Sequence, residues 1–135
     1  MTPEFRAWSK ERKEMINDCD LFITSDGRVL AGDLNYDEES GMVADVTDSV
    51  VIMMSTDLKD KNGIEIYEGD IVELKYPYDK RIKTTGVIVW NDNIACFGIS
   101  MKETTEQYEL YRITAENYLT VIGNKFQNHE LLEDE

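Results

Sequence analysis

Histidine is almost missing from this 135-residue chain, which has His129 alone, together with two cysteines, Cys19 and Cys96. A structural zinc usually takes four Cys or His ligands, and these three side chains fall short of that set. A Cys-His or Ser-His nucleophile pair would have to draw on His129, near the tail in Asn128-His129-Glu130-Leu131-Leu132. The plainer reading there is an exposed residue in the first turn of a short helix, so covalent hydrolase chemistry is not expected. Cys19 and Cys96 lie far apart and in no CxxC spacing, and in a chain with no export signal they read as reduced packing residues. Long apolar runs are missing too. The longest, Val50 to Met54, has five residues, too few for a transmembrane helix, and Met1 to Lys13 lacks the apolar stretch of a secretory signal. A soluble, cytoplasmic protein is the expectation.

Cations are scarce. Lys and Arg total 14 against 28 Asp and Glu, a formal net charge of −14. Phosphate neutralisation needs clustered cations, so a general nucleic-acid binder is not expected. Neither GxxxxGK[ST] nor GxGxxG occurs, which leaves no glycine loop to cradle a phosphate. The acids imitate calcium loops twice. Asp33-Leu34-Asn35-Tyr36-Asp37 opens like an EF-hand but continues with Glu38 at the glycine position and Ala44 at the glutamate position. Asp60-Lys61-Asn62-Gly63 then has Glu65 where the glycine belongs, and a β-turn explains it better. Paired acids such as Glu68 with Asp70, or Glu38 with Glu39, are too common in so acidic a chain to mark a general acid and base. No metal, cofactor or catalytic residue is therefore assigned, and the chain is read as no enzyme.

What the chain has is apolar content, 41% of residues with 10% aromatic, enough for one folded domain at this length. A single domain over 1–135 is expected, with an acidic loop at about 31–49 and a short tail at about 126–135. Phe5 to Trp8 reads as a first strand. Leu21 to Thr24 and Arg28 to Leu30 flank Ser25-Asp26-Gly27, whose Asp-Gly pair suits a tight hairpin. Between Ala31 and Asp57 stand seven acids and no Lys or Arg, so Leu34 to Gly41 reads as an exposed loop. Val50 to Met54 reads as a strand covered on both faces. Asn62-Gly63 and Glu68-Gly69-Asp70 are turns, and Ile71 to Tyr76 is a strand with Val72, Leu74 and Tyr76 on one face, ended by Pro77. Gly86 to Trp90, Asn91-Asp92-Asn93 and Ile94 to Ser100 form a second hairpin. Tyr108 to Ile113 and Leu119 to Ile122 complete the strands, with one helical turn near Ala115 and another at Glu130 to Leu132. Turns every ten or so residues, with no long helical period, favour a small antiparallel barrel or sandwich.

Three blocks carry a family resemblance: Phe5-Arg6-Ala7-Trp8 with Met15 behind it, Leu58 to Val72 (Leu58-Lys59-Asp60-Lys61-Asn62-Gly63-Ile64-Glu65-Ile66-Tyr67-Glu68-Gly69-Asp70-Ile71-Val72), and Val121-Ile122-Gly123-Asn124 followed by Glu130-Leu131-Leu132. In this order, and spread nearly end to end, they resemble the YopX family of temperate phages and prophages. Three positions depart from the family pattern. Ser9 stands where an aspartate often follows the Trp, Thr56-Asp57-Leu58 replaces a Thr-Gly-Leu, and His129 replaces a proline. The glycine lost at Asp57 puts the backbone geometry there in question. The resemblance implies a mainly β fold, a small antiparallel SH3-like barrel with additional strands and hairpins and a short C-terminal helix. It also implies a phage setting, assembly into homo-oligomers, and no established reaction.

The motif residues Phe5, Arg6, Trp8, Asp60, Gly63, Tyr67, Gly69, Asp70, Ile71, Val72, Gly123 and Asn124 are the family's candidate site. They also have a structural reading, because glycines satisfy turn angles, Asp70 can bond amides in its turn, and Phe5, Trp8, Ile71 and Val72 can fill a core. That reading is preferred to a ligand site. Two functional readings follow. The first is a non-enzymatic interaction module that binds itself and a host or phage protein, with Tyr67, Tyr76, Tyr78 and Trp90 as interface material. The second is linked to nucleic acid, by acidic imitation of a phosphate backbone or by weak single-strand binding through Lys75, Tyr76, Tyr78, Lys80, Arg81 and Lys83, in a segment whose four cations and Asp79 leave a local charge of +3 with tyrosines between.

Overall fold

The structure is a computed structural model and describes residues 4–17, 20–32, 43–75, 83–102 and 107–133. Its contacts group the chain into two compact units, one of Arg6–Ile52 and one of Met1–Phe5 with Met53–Glu135. Cys19, the loop at 33–42 and residues 76–82 lie outside the described residues.

In the first unit β1 (Phe5–Ser9, from Arg6 on) pairs antiparallel with β2 (Glu14–Met15), Trp8 opposite Met15 and Ser9 opposite Glu14. Ser9 is buried, and its hydroxyl accepts the Arg12 N–H at 3.1 Å. A serine thus does the local bonding available to an aspartate at this position. The β3 (Asp20–Ile23) and β4 (Val29–Gly32) hairpin turns at Gly27, which sits at φ 88°, as the Asp-Gly pair leads one to expect. β5 (Ala44–Asp45) pairs with β4. Ala7, Val29 and Val50 make the buried centre, with Ile16, Leu21, Val46 and Ile52 packed on it.

β6 (Val50–Lys59) is twice as long as the apolar run that announces it. Of that run Val50 and Met53 are buried and their neighbours are only half-buried, so cover on both faces is incomplete. The strand continues because Ser55 and Lys59 keep pairing with β7 (Glu65–Tyr67) across an irregularity that lies between them. Asp57 itself stands at φ 63°. The family's glycine position is therefore a left-handed position here also, filled by a residue type that tolerates it better than most.

The second unit is built on an antiparallel sheet ordered β11-β10-β9-β8-β12 and curled into a half-barrel. Its strands are β8 (Asp70–Lys75), β9 (Lys83–Asn91), β10 (Cys96–Met101), β11 (Gln107–Glu109) and β12 (Leu119–Asn124). The first four form a meander, and β12 returns to pair with β8. Ile66, Val72, Ile88, Ile99, Met101, Ala115 and Leu119 are its buried core. The fold is mainly β, as expected. Two local expectations need correction. The β9–β10 turn is formed by residues 92–95, and its left-handed residue is Ala95 at φ 52°, because Asn91 stays in the ladder opposite Cys96. The strand read over Tyr108 to Ile113 stops at Glu109, and α1 (Arg112–Tyr118) follows. Alternation misled there because Tyr111 and Ile113 face solvent while Ala115 enters the core.

Candidate functional site

The polar residues of the Leu58 to Val72 block are buried and bonded. Asp60 is 3% exposed; Oδ1 accepts the N–H groups of Asn62 at 2.8 Å and Ile64 at 2.9 Å, and Oδ2 accepts the Val121 N–H at 2.9 Å. One carboxylate thus shapes its own turn and fastens the margin of β12, where the Lys61 N–H also reaches the Leu119 carbonyl at 3.0 Å. Gly63 closes the turn at φ 81°, its N–H on the Asp60 carbonyl at 3.0 Å. Asp70 is 1% exposed, and its Oδ2 accepts the Tyr67 N–H at 2.8 Å. Gly69, at φ 89°, donates to Ile88 and accepts from Lys125. Ile71 and Val72 are fully buried.

The third block works the same way. Asn124 accepts the N–H groups of Phe126 and Gln127 and gives its amide to Gln127 Oε1 at 2.7 Å. A Cβ on Gly123 would lie 2.5 Å from Asn128 Oδ1, so a side chain there must displace Asn128. Phe5 and Arg6 are half-buried in β1, and Trp8 is buried in the first unit. The motif acids therefore direct their oxygens at backbone amides within hydrogen-bond reach. Among the described residues no three His, Cys, Asp or Glu side chains converge to hold a metal ion.

Of the cationic loop, Lys75 ends β8 and stands in register with Lys83 of β9; Tyr76, Tyr78, Lys80 and Arg81 lie outside the described residues. Trp90 is exposed, its ring edge-on to Phe97 at 5.1 Å, and Tyr67 is half-buried with its hydroxyl on Glu65. Glu65 also accepts from Ser55 at 2.7 Å, and that hydroxyl holds its carboxyl below the usual range. Glu4, hydrogen-bonded to Glu65 and repelled by its charge, is held above it.

A surface feature that the residue reading missed lies at the other end of the sheet. A groove of about 540 Å³ has Leu74 and Ile99 among its apolar residues and Tyr108, Tyr111, Thr114, Gln107 and Glu109 along it. Tyr111 gives its hydroxyl to Glu109, and this bond, with the carboxylate's charge, raises the phenol above its ordinary pKa. Tyr108, Tyr111 and Ile113 are 47%, 58% and 72% exposed. The only signal in the sequence was an aromatic pair in a segment read as a strand.

A family model described as YopX protein matches residues 4–133. The chain belongs to the YopX family. Two solved structures share the YopX fold with it. Protein EF1440 from Enterococcus faecalis is 25% identical with a TM-score of 0.68, over 98% of this chain and 99% of that one. Protein yopX from Bacillus subtilis is 23% identical with a TM-score of 0.63, over 96% and 97%. No curated protein matches. Set on this YopX chain, the family blocks fall on strands and the turns that join them, and the groove falls outside them.

Proposed function

We propose that this YopX protein is a non-enzymatic interaction module of a phage or prophage, working in the bacterial cytoplasm, and that it self-associates and binds a host or phage protein. The observation that supports the reading is the exposure of Tyr108 and Tyr111 along the groove, with Ile113 exposed in the same segment. Aromatic side chains with a polar tip are the residues that protein interfaces favour. The family motif serves the scaffold on this reading, since Asp60, Asp70 and Asn124 spend their polar atoms on neighbouring amides. Light scattering behind size-exclusion chromatography tests the self-association. The expected result is a mass that rises above that of one chain with concentration, and a single-chain mass at every concentration overturns it.

A further inference from the structure

The two margins of the five-stranded sheet are unlike. At β12 the Val121 N–H is taken by Asp60 and the Leu119 carbonyl by Lys61. At β11 no described residue takes the outward backbone groups. The Leu110 N–H donates to the Phe97 carbonyl at 3.0 Å, and Tyr108 stands opposite Ile99. In an antiparallel ladder the bonding alternates, so residues 108 and 110 point their N–H and C=O at β10 while Gln107 and Glu109 point theirs away. Among the described residues no backbone partner covers those two, and all three residues of β11 are exposed. A strand edge of this kind is a template for another strand.

We propose that this edge receives the same edge of a second copy, β11 against β11, antiparallel about Tyr108. The inference rests on the self-association proposed above and names its surface. In that register Gln107 of each copy faces Glu109 of the other as a backbone-bonded pair, and each Gln amide can donate to the opposing carboxylate. The two Tyr108 residues meet as a non-bonded pair, the closer of the two pair types, on the face that carries Ile99 and the groove. A register centred on Glu109 sets carboxylate against carboxylate. The edge is thus complementary to itself in the register centred on Tyr108, as a two-fold interface requires. Each copy carries a net charge of −14, so long-range repulsion opposes the pairing and salt relieves it. A cationic segment of another protein on the same edge has the opposite salt dependence.

Light scattering of the full chain between about 0.05 and 0.5 M salt, with four variants, tests the pairing. Wild type associates more tightly as salt rises. Gln107→Pro removes an outward N–H and none of the bonds to β10, so it folds and loses association. Gln107→Glu places two like-charge pairs in the interface and weakens association by about 2- to 30-fold, and Gln107→Lys strengthens it over a similar range. Asn93→Glu, with the same charge change on the exposed β9–β10 turn, has a smaller effect than Gln107→Glu. Equal association of wild type and all four variants, or association that weakens with salt, overturns the β11 pairing and leaves self-association standing. A wild type that stays a single chain throughout overturns both.

Discussion

Asp60→Ala removes the shared acceptor of three N–H groups in one change. A hydrogen bond to a charged group contributes about 1.5–3 kcal/mol, which bounds the sum at about 4.5–9 kcal/mol. Asn62 and Ile64 are exposed, so water can replace the carboxylate for their amides when the turn opens. The Val121 N–H, at 2.9 Å from Oδ2 and 61 residues away in sequence, has no such relief at the half-buried margin of β12. The expected loss is therefore about 3–4 kcal/mol, one open-turn share plus one buried orphan. With an m-value of about 2 kcal/mol/M for a chain of this size, the urea midpoint falls by about 1.5–2 M. Asp60→Asn keeps one oxygen for the turn and turns an NH₂ toward Val121, for a loss of about 2 kcal/mol. Urea unfolding followed by circular dichroism measures both. An alanine variant within about 1 kcal/mol of wild type, or an asparagine variant worse than alanine, refutes the assignment of Asp60 as the clasp between the turn and β12.

Four further outcomes are expected. Asp57→Gly relieves a side chain held at φ 63° at some cost in unfolded-chain entropy, for a net gain of up to about 1 kcal/mol; a lower thermal midpoint contradicts it. Gly86→Ala sets a Cβ 2.6 Å from Ile99 Cγ2 and 3.1 Å from the Ser100 carbonyl, and destabilises by about 1–3 kcal/mol in the same urea assay; a neutral result means the β9–β10 pairing is looser than described. Carbon-13 NMR of the carboxyls should show Glu4 titrating above the ordinary 4.5 and Glu65 below it. Because the Glu65 value is lowered on folding, its contribution to stability is present above 4.5 and fades as pH falls through the folded value; the raised Glu4 value contributes below 4.5 and fades as pH rises through its own. Ser55→Ala removes the first cause and moves Glu65 upward, and coincident titrations at the ordinary value count against the pair. Labelled single- and double-stranded oligonucleotides should show no anisotropy change at low salt, and salt-sensitive binding would point back to the segment from Lys75 to Lys83.

The sequence by itself determined whatever depends on a residue and its near neighbours. Gly27, Gly63 and Gly69 take positive φ where Asp-Gly, Asn-Gly and Glu-Gly-Asp punctuate the chain, because left-handed angles cost glycine nothing. Val72 and Leu74 share a face in β8 because side chains alternate along a strand. Tertiary structure decided the rest. Whether Tyr111 and Ile113 extend a strand or begin a helix depended on Ala115 finding the core, and local alternation does not encode that burial. That Asp60 reaches Val121 in β12, and that β11 comes last in the order of its sheet, depends on pairings between distant segments. Turn angles are fixed by sterics within a few bonds, whereas an edge exists only once every other strand has found its partner.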